Sequence, residues 1–128
     1  MDEIEAVVRT YVSTAGTDMA LAATFFEEPA TVAGPKRFLL MQTKEDVVKF
    51  LEWSFETVRP LGYAKSTCEH LSIKMLNPVM ALCSVIYARR RSDDTELQRS
   101  GAIYILRKGE HGWKIRNVLA ADLDKIIL

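Results

Sequence analysis

The chain has 128 residues, 48% hydrophobic and 27% charged, which suits a single domain built around one core. Seventeen basic residues balance seventeen acidic ones, so no overall field draws nucleic acid or an anionic membrane to it. No apolar run approaches the roughly 18 residues that span a bilayer, and a chain without net charge resists self-association poorly.

The N-terminal MDEIEAVVRT is acidic and amphipathic, whereas a signal peptide starts basic and continues apolar, so a cytoplasmic location is expected. Ile4, Val7, Val8, Tyr11 and Val12 recur at helical spacing and predict a helix over residues 2–14, with Asp2 and Glu5 placed as a capping box and Gly16 as its end. Thr17 or Asp18 caps a shorter second helix with Met19, Ala22, Phe25 and Phe26 on its buried side, stopped by Pro29. Thr31–Ala33 and Phe38–Met41 form a short hairpin around Gly34-Pro35. Thr43 with Asp46 opens a third helix, whose apolar stripe is Val47, Phe50, Leu51, Phe55 and Val58 and which Pro60 and Gly62 terminate.

The second half changes period. Strands are expected over 67–76, 79–90, 97–108 and 113–121, joined by turns at Asn77-Pro78, Ser92–Thr95 and Gly109–Gly112. Helices followed by a long meander give an α+β class, with a sheet long enough to curl under the helices. There is no repeat, nucleotide loop, zinc motif or nucleophile elbow, so no cofactor is expected. Only His70 and His111 supply imidazoles, and His111 sits in a turn, so no metal site is expected either.

Strand alternation sorts the meander into two faces. With Asn77-Pro78 as a tight turn, Ser72 faces Cys83 and His70 faces Val85. One face then holds His70, Cys83, Val85, Tyr87, Arg89, Gln98, Ser100, Ala102, Tyr104, Val118, Ala120 and Asp122. The other holds Leu71, Ile73, Met75, Leu82, Ile86, Ile103, Ile105, Ile115 and Leu119. Cys68 falls about 13 Å along the strand from the partner of Cys83, too far for a disulfide, and two free thiols are expected.

The order of elements resembles the nuclear transport factor 2-like fold, a cone-shaped α+β barrel with three N-terminal helices packed on a curved, mainly antiparallel sheet. FFEEPATVAGP is similar to that family's passage from helix two into its first strand, and TKEDVVKFLE to its third-helix start. GAIYILRKGEHGWKIRNVLAAD resembles its last hairpin, with Gly-Trp-Lys-Ile leading into the final strand. The family includes ketosteroid isomerases, SnoaL-type polyketide cyclases, scytalone dehydratase and dimerisation modules, so the resemblance specifies fold rather than reaction.

Set against the isomerase pattern, Tyr11 occupies the place of the tyrosine that donates to the developing oxyanion. The carboxylate base belongs in the residue before the strand-end proline, and here that residue is Gly34, preceded by Ala33. Neither accepts a proton, so enolisation lacks its base. The second oxyanion donor, an acid in the isomerase, falls near Tyr104. The resemblance places the mixed face in the pocket and the apolar face at a homodimer interface; the alternative is that the apolar residues pack under the helices.

The candidate site is therefore His70 and Tyr104 as catalytic groups, with Tyr11, Tyr87, Arg89 and Asp122 as ligand contacts. Each has a plainer reading: a hydrogen-bonded structural histidine, core aromatics, an Arg89-Arg90-Arg91 cluster neutralised by Asp93 and Asp94, and an exposed acid or a partner of Arg89 at Asp122. Two functions are open. One is a cofactor-free isomerase, dehydratase or cyclase-like enzyme, or a binder, holding a small hydrophobic or mixed-polarity ligand. The other is a non-catalytic homodimeric ligand-binding or interaction module.

Overall fold

The computed structural model describes residues 2–126, without the side chain of Asp2, so the Asp2–Glu5 capping box lies outside the described residues. Three helices, α1 (Asp2–Thr14), α2 (Met19–Ala23) and α3 (Lys44–Phe55), cover one face of a six-stranded sheet. Its strands are β1 (Phe26–Gly34), β2 (Arg37–Met41), β3 (Tyr63–Asn77), β4 (Met80–Arg91), β5 (Glu96–Gly109) and β6 (Gly112–Ala121). They lie in the order β2-β1-β6-β5-β4-β3, and only β1 and β6 run parallel. The sheet is curved but not closed, with β2 and β3 as its edges. Among the described residues, no helix is long and apolar enough to cross a membrane.

The helical stripes are buried as their spacing requires: Ile4, Val8, Tyr11 and Val12 from α1, and Val47, Leu51 and Phe55 from α3. Asp18 caps α2 by accepting from the Leu21 amide at 3.2 Å. Thr43 and Asp46 close a reciprocal box at the start of α3, at 3.2 Å and 3.3 Å. After α3, Gly62 adopts a left-handed φ of 97° and turns the chain into β3.

Two boundaries differ from the sequence reading. α2 ends at Ala23, so Phe26 begins β1 instead of extending the helix, and Pro29 sits inside a strand. Proline is tolerated there because pairing with β2 starts only at Ala30, and the ladder to β6 skips from Phe26 to Thr31. No ladder bond is lost with its missing N–H.

The sheet faces also need correcting. In β4, Cys83, Val85 and Arg89 are buried on the helix-covered side, and their partners in β5 and β6 follow the expected parity: Tyr104 with Cys83 and Val118, Ala102 with Val85 and Ala120. β3 does not. The β3–β4 turn leaves Leu76 unpaired between the Met75–Ala81 and Asn77–Met80 pairs, which shifts the register by one residue. A second bulge at Glu69 shifts it back. Between the two, Leu71 pairs with Val85 and Ile73 with Cys83, so both pack on the core, while His70 pairs with Ile86 and faces away from it. A further bulge between the Ile105–Asn117 and Leu106–Ile115 pairs turns Ile115 inward, where it is fully buried.

The outer face therefore keeps Leu82, Ile86, Ile103, Ile105 and Leu119 but loses Leu71, Ile73, Met75 and Ile115. At one end of that face Glu69, Arg90, Glu96 and Arg99 form a connected ion-pair network.

Candidate functional site

The covered face of the sheet and the helices enclose a cavity of about 470 Å³. Strand alternation sends Tyr87 and Arg89 into it from β4, Ala102 and Tyr104 from β5, and Val118 and Ala120 from β6. α1 contributes Tyr11 and Val12, and α3 contributes Phe50, Leu51, Ser54 and Phe55. The β1–β2 turn forms part of the rim through Ala33, Gly34, Pro35, Lys36 and Arg37. The turn that lacks a proton acceptor thus borders the cavity.

The polar equipment is narrow. Tyr11 and Tyr104 are 5% and 3% exposed and meet edge to face, with ring centroids 5.6 Å apart. Phe26 packs against the other side of Tyr11 at 5.2 Å. Burial pushes both phenols far above the ordinary tyrosine range, more than the nearby Arg89 cation lowers them. Both are neutral at physiological pH and serve as hydrogen-bond donors. Among the described residues no side chain or carbonyl partners the hydroxyls of Tyr11, Tyr87 or Tyr104.

Arg89, 5% exposed, gives one terminal nitrogen to the Ser54 carbonyl at 2.6 Å and the other to Ser54 Oγ at 2.8 Å. Its guanidinium carbon lies 3.8 Å from the Phe55 ring centroid and 5.5 Å from that of Tyr87. Ser66, also on the lining, is bonded to the Tyr63 hydroxyl at 2.7 Å.

His70 and Asp122 do not line the cavity. The shifted register between Leu76 and Glu69 places His70 on the outer face, where its Nε2 lies 3.2 Å from Ser72 Oγ. Asp122 is exposed beyond the end of β6 and pairs with no arginine; the contacts of Arg89 go to Ser54. Sequence reasoning placed Arg89 on the pocket face as a ligand contact, with a solvated Arg89-Arg90-Arg91 cluster as the plainer reading; the alternation that sends Tyr87 inward also sends Arg89 inward and Arg90 outward. Ser54 and Arg37 were not singled out, and Trp53 was read only as an apolar anchor; Arg37 stacks on Trp53 at the rim, 4.2 Å from its ring.

Among the described residues the cavity lining contains no Asp, Glu or His. Both cysteines are free. Burial raises the thiol of Cys68, and pushes that of Cys83 up to about 11, so neither supplies a thiolate near neutrality. Among the described residues no group of three His, Cys, Asp or Glu is placed to hold a metal. The site can hold and polarise an oxygen atom, and it offers no proton acceptor of matched strength.

The raised tyrosines give a pH prediction. An unfolded tyrosine ionises near pH 10, whereas Tyr11 and Tyr104 keep their protons in the folded state. Above that pH the native state binds more protons, so stability is fully present below about pH 10 and declines by about 1.4 kcal/mol per pH unit for each such group. Denaturant midpoints at pH 9 and pH 11, read beside tyrosinate absorbance, should show at least two of the four tyrosines ionising only on unfolding. Titration of all four near pH 10 in folded protein would refute this placement.

A family model described as NTF2-like protein (DUF6841) matches residues 2–123. The chain belongs to this NTF2-like family. An NTF2-like protein with a cystatin-like fold from Novosphingobium aromaticivorans superposes with a TM-score of 0.72 at 14% identity, covering 97% of this chain and 82% of that one. An NTF-2 like protein of unknown function from Shewanella oneidensis gives 0.69 at 17%, covering 94% and 98%. A ketosteroid isomerase-like protein from Erwinia carotovora atroseptica gives 0.69 at 14%, covering 94% and 93%. No curated protein matches the sequence. At these identities the neighbours establish the NTF2-like fold and leave the activity open.

Proposed function

We propose that this NTF2-like protein binds a small, largely apolar organic molecule in its cavity and polarises one of that molecule's oxygens, without abstracting a proton from it. One observation carries the reading: a largely apolar cavity, open at its rim, presents buried phenols and a guanidinium and, among the described residues, no carboxylate or imidazole. The Tyr11 and Tyr104 hydroxyls have no protein partner among the described residues and are free to donate to a ligand or water in the cavity they line. The missing base argues against the isomerase reaction, for which both the strand-end turn and the displaced His70 leave no route.

The test is a titration with the neutral fluorophore N-phenyl-1-naphthylamine. Saturable one-to-one binding is expected, with affinity falling at least tenfold in Ala102→Phe, which places a ring in the cavity from the middle of β5. Non-saturating binding, or binding that Ala102→Phe leaves unchanged in a folded protein, would count against the cavity as a ligand site.

A second reading concerns assembly. Leu82, Ile86, Ile103 and Ile105 are only partly covered on the outer face, and Leu119 is 37% exposed. Such a face supports a homodimer through the sheet. Sedimentation at micromolar concentration should give twice the chain mass, and a monomer would reject it.

A further inference from the structure

We infer that the molecule held in the cavity is an organic acid, with an apolar body against the cone and a carboxylate against Arg89. The inference rests on the cavity being a ligand site and specifies the ligand's charge.

Arg89 is the central observation. A guanidinium carries five N–H donors. Two are accounted for by Ser54, and Nε is buried with no partner. Among the described residues no carboxylate forms an ion pair with Arg89. A charge removed from water to this degree ordinarily has a counter-ion. The contact with the Ser54 carbonyl, in the last turn of α3, compensates part of the charge because the C-terminal end of a helix is partially negative. It leaves three N–H groups unused on a side chain that lines the cavity.

The surroundings point the same way. The charged residues bordering the cavity are Lys36, Arg37 and Arg89, all cationic, and none is acidic. Lys36 and Arg37 are exposed at the rim, where a positive mouth raises the local concentration of anions. Phe55 stacks on the guanidinium face, which restrains its plane and leaves its edge for a planar two-oxygen group. The hydroxyls of Tyr11, Tyr87 and Tyr104 are donors near the same cation. One guanidinium in an otherwise apolar chamber suits a monoanion with a hydrophobic body, whereas a free phosphate dianion would require more donors and leave the apolar walls unfilled.

The experiment uses three probes sharing one skeleton: 2-naphthoate, 2-naphthamide and 2-naphthylmethylammonium, titrated calorimetrically into the full chain at pH 7.5. The carboxylate is expected to bind at least tenfold more tightly than the amide, and the ammonium more weakly than both. In Arg89→Met the carboxylate-to-amide ratio should collapse toward one, and in Arg89→Lys it should be intermediate. The ratio is the readout, because a merely structural Arg89 would weaken both probes together. If Arg89→Met does not fold, the wild-type ratio and Arg89→Lys decide. Equal binding of acid and amide by the wild type overturns the inference while the cavity reading stands. Failure of every naphthalene probe while the neutral fluorophore binds also overturns it. If the fluorophore fails as well, the cavity reading falls and the inference falls with it. Inorganic phosphate should not displace 2-naphthoate at equal concentration; displacement would replace the apolar acid with a phosphate site.

Discussion

Leu106→Ala is expected to destabilise the protein by about 2–5 kcal/mol, the range for a buried leucine whose surroundings cannot collapse. Leu106 has no exposed surface, and neither do its ladder partners Ala81 and Ile115. It sits where the bulge in β6 turns Ile115 inward, so the truncation removes one of a facing pair of large side chains and leaves a void that small neighbours cannot fill. At about 4 °C per kcal/mol for a domain of this size, the melting temperature should fall by roughly 8–20 °C. Leu106 does not border the cavity, so the protein that remains folded should bind the fluorophore with near-normal affinity. A fall below 4 °C would show that the bulge relaxes to close the gap.

The second large effect is expected at Gly16, in the turn between α1 and α2. A Cβ there would lie 2.5 Å from Phe55 Cε1 and 2.7 Å from Tyr63 Cε2, closer than real contacts allow. Phe55 is 2% exposed and meets Tyr63 at a tilt with centroids 4.9 Å apart, so the added methyl must displace the two rings together, Phe55 towards the cavity it borders. Gly16→Ala should therefore cost about 1–3 kcal/mol by overpacking. It should also reach the ligand site, because the other neighbour of Phe55 is Arg89. The expected signature is a lowered melting temperature together with a reduced carboxylate-to-amide ratio. A stability loss with the ratio intact would mean that Phe55 moves without carrying the guanidinium.

Much of this was legible in the chain. The apolar spacing of α1 and α3 and the caps of α2 and α3 are written in the chain, and those marks depend on neighbours within four residues, where local chemistry decides. The three long hairpins were likewise readable from turn residues and alternation. What failed was non-local. Nothing near Pro29 says that the strands on either side of β1 leave that position unpaired, so the proline was read as a stop. Nothing local announces the unpaired Leu76 or the extra residue at Glu69, yet the register between them turns His70 to the outside. Residues in β4 and β5 were placed correctly because no bulge interrupts those strands between Met80 and Arg89. The candidate site divides along the same line: Tyr11, Tyr87, Arg89 and Tyr104 lie on uninterrupted elements and meet at the cavity, whereas His70 lies beyond a bulge and Asp122 beyond a strand end.

The strand order has a consequence for how the protein is made. β1 is held between β2 and β6, and β6 is the last of the six strands in chain order. When the first third of the chain leaves the ribosome, its helices and its β1–β2 hairpin have no sheet to rest on, and at about 5–20 residues per second they wait several seconds for one. The β3–β4–β5 meander can pair as it emerges, but the cone is completed only when residues 112–121 arrive and join the two halves. Until then the apolar stripes of α1 and α3 are only partly covered on the nascent chain, α1 by β3 and α3 by its own helical and hairpin neighbours. Those seconds are when a chaperone would have the most to hold.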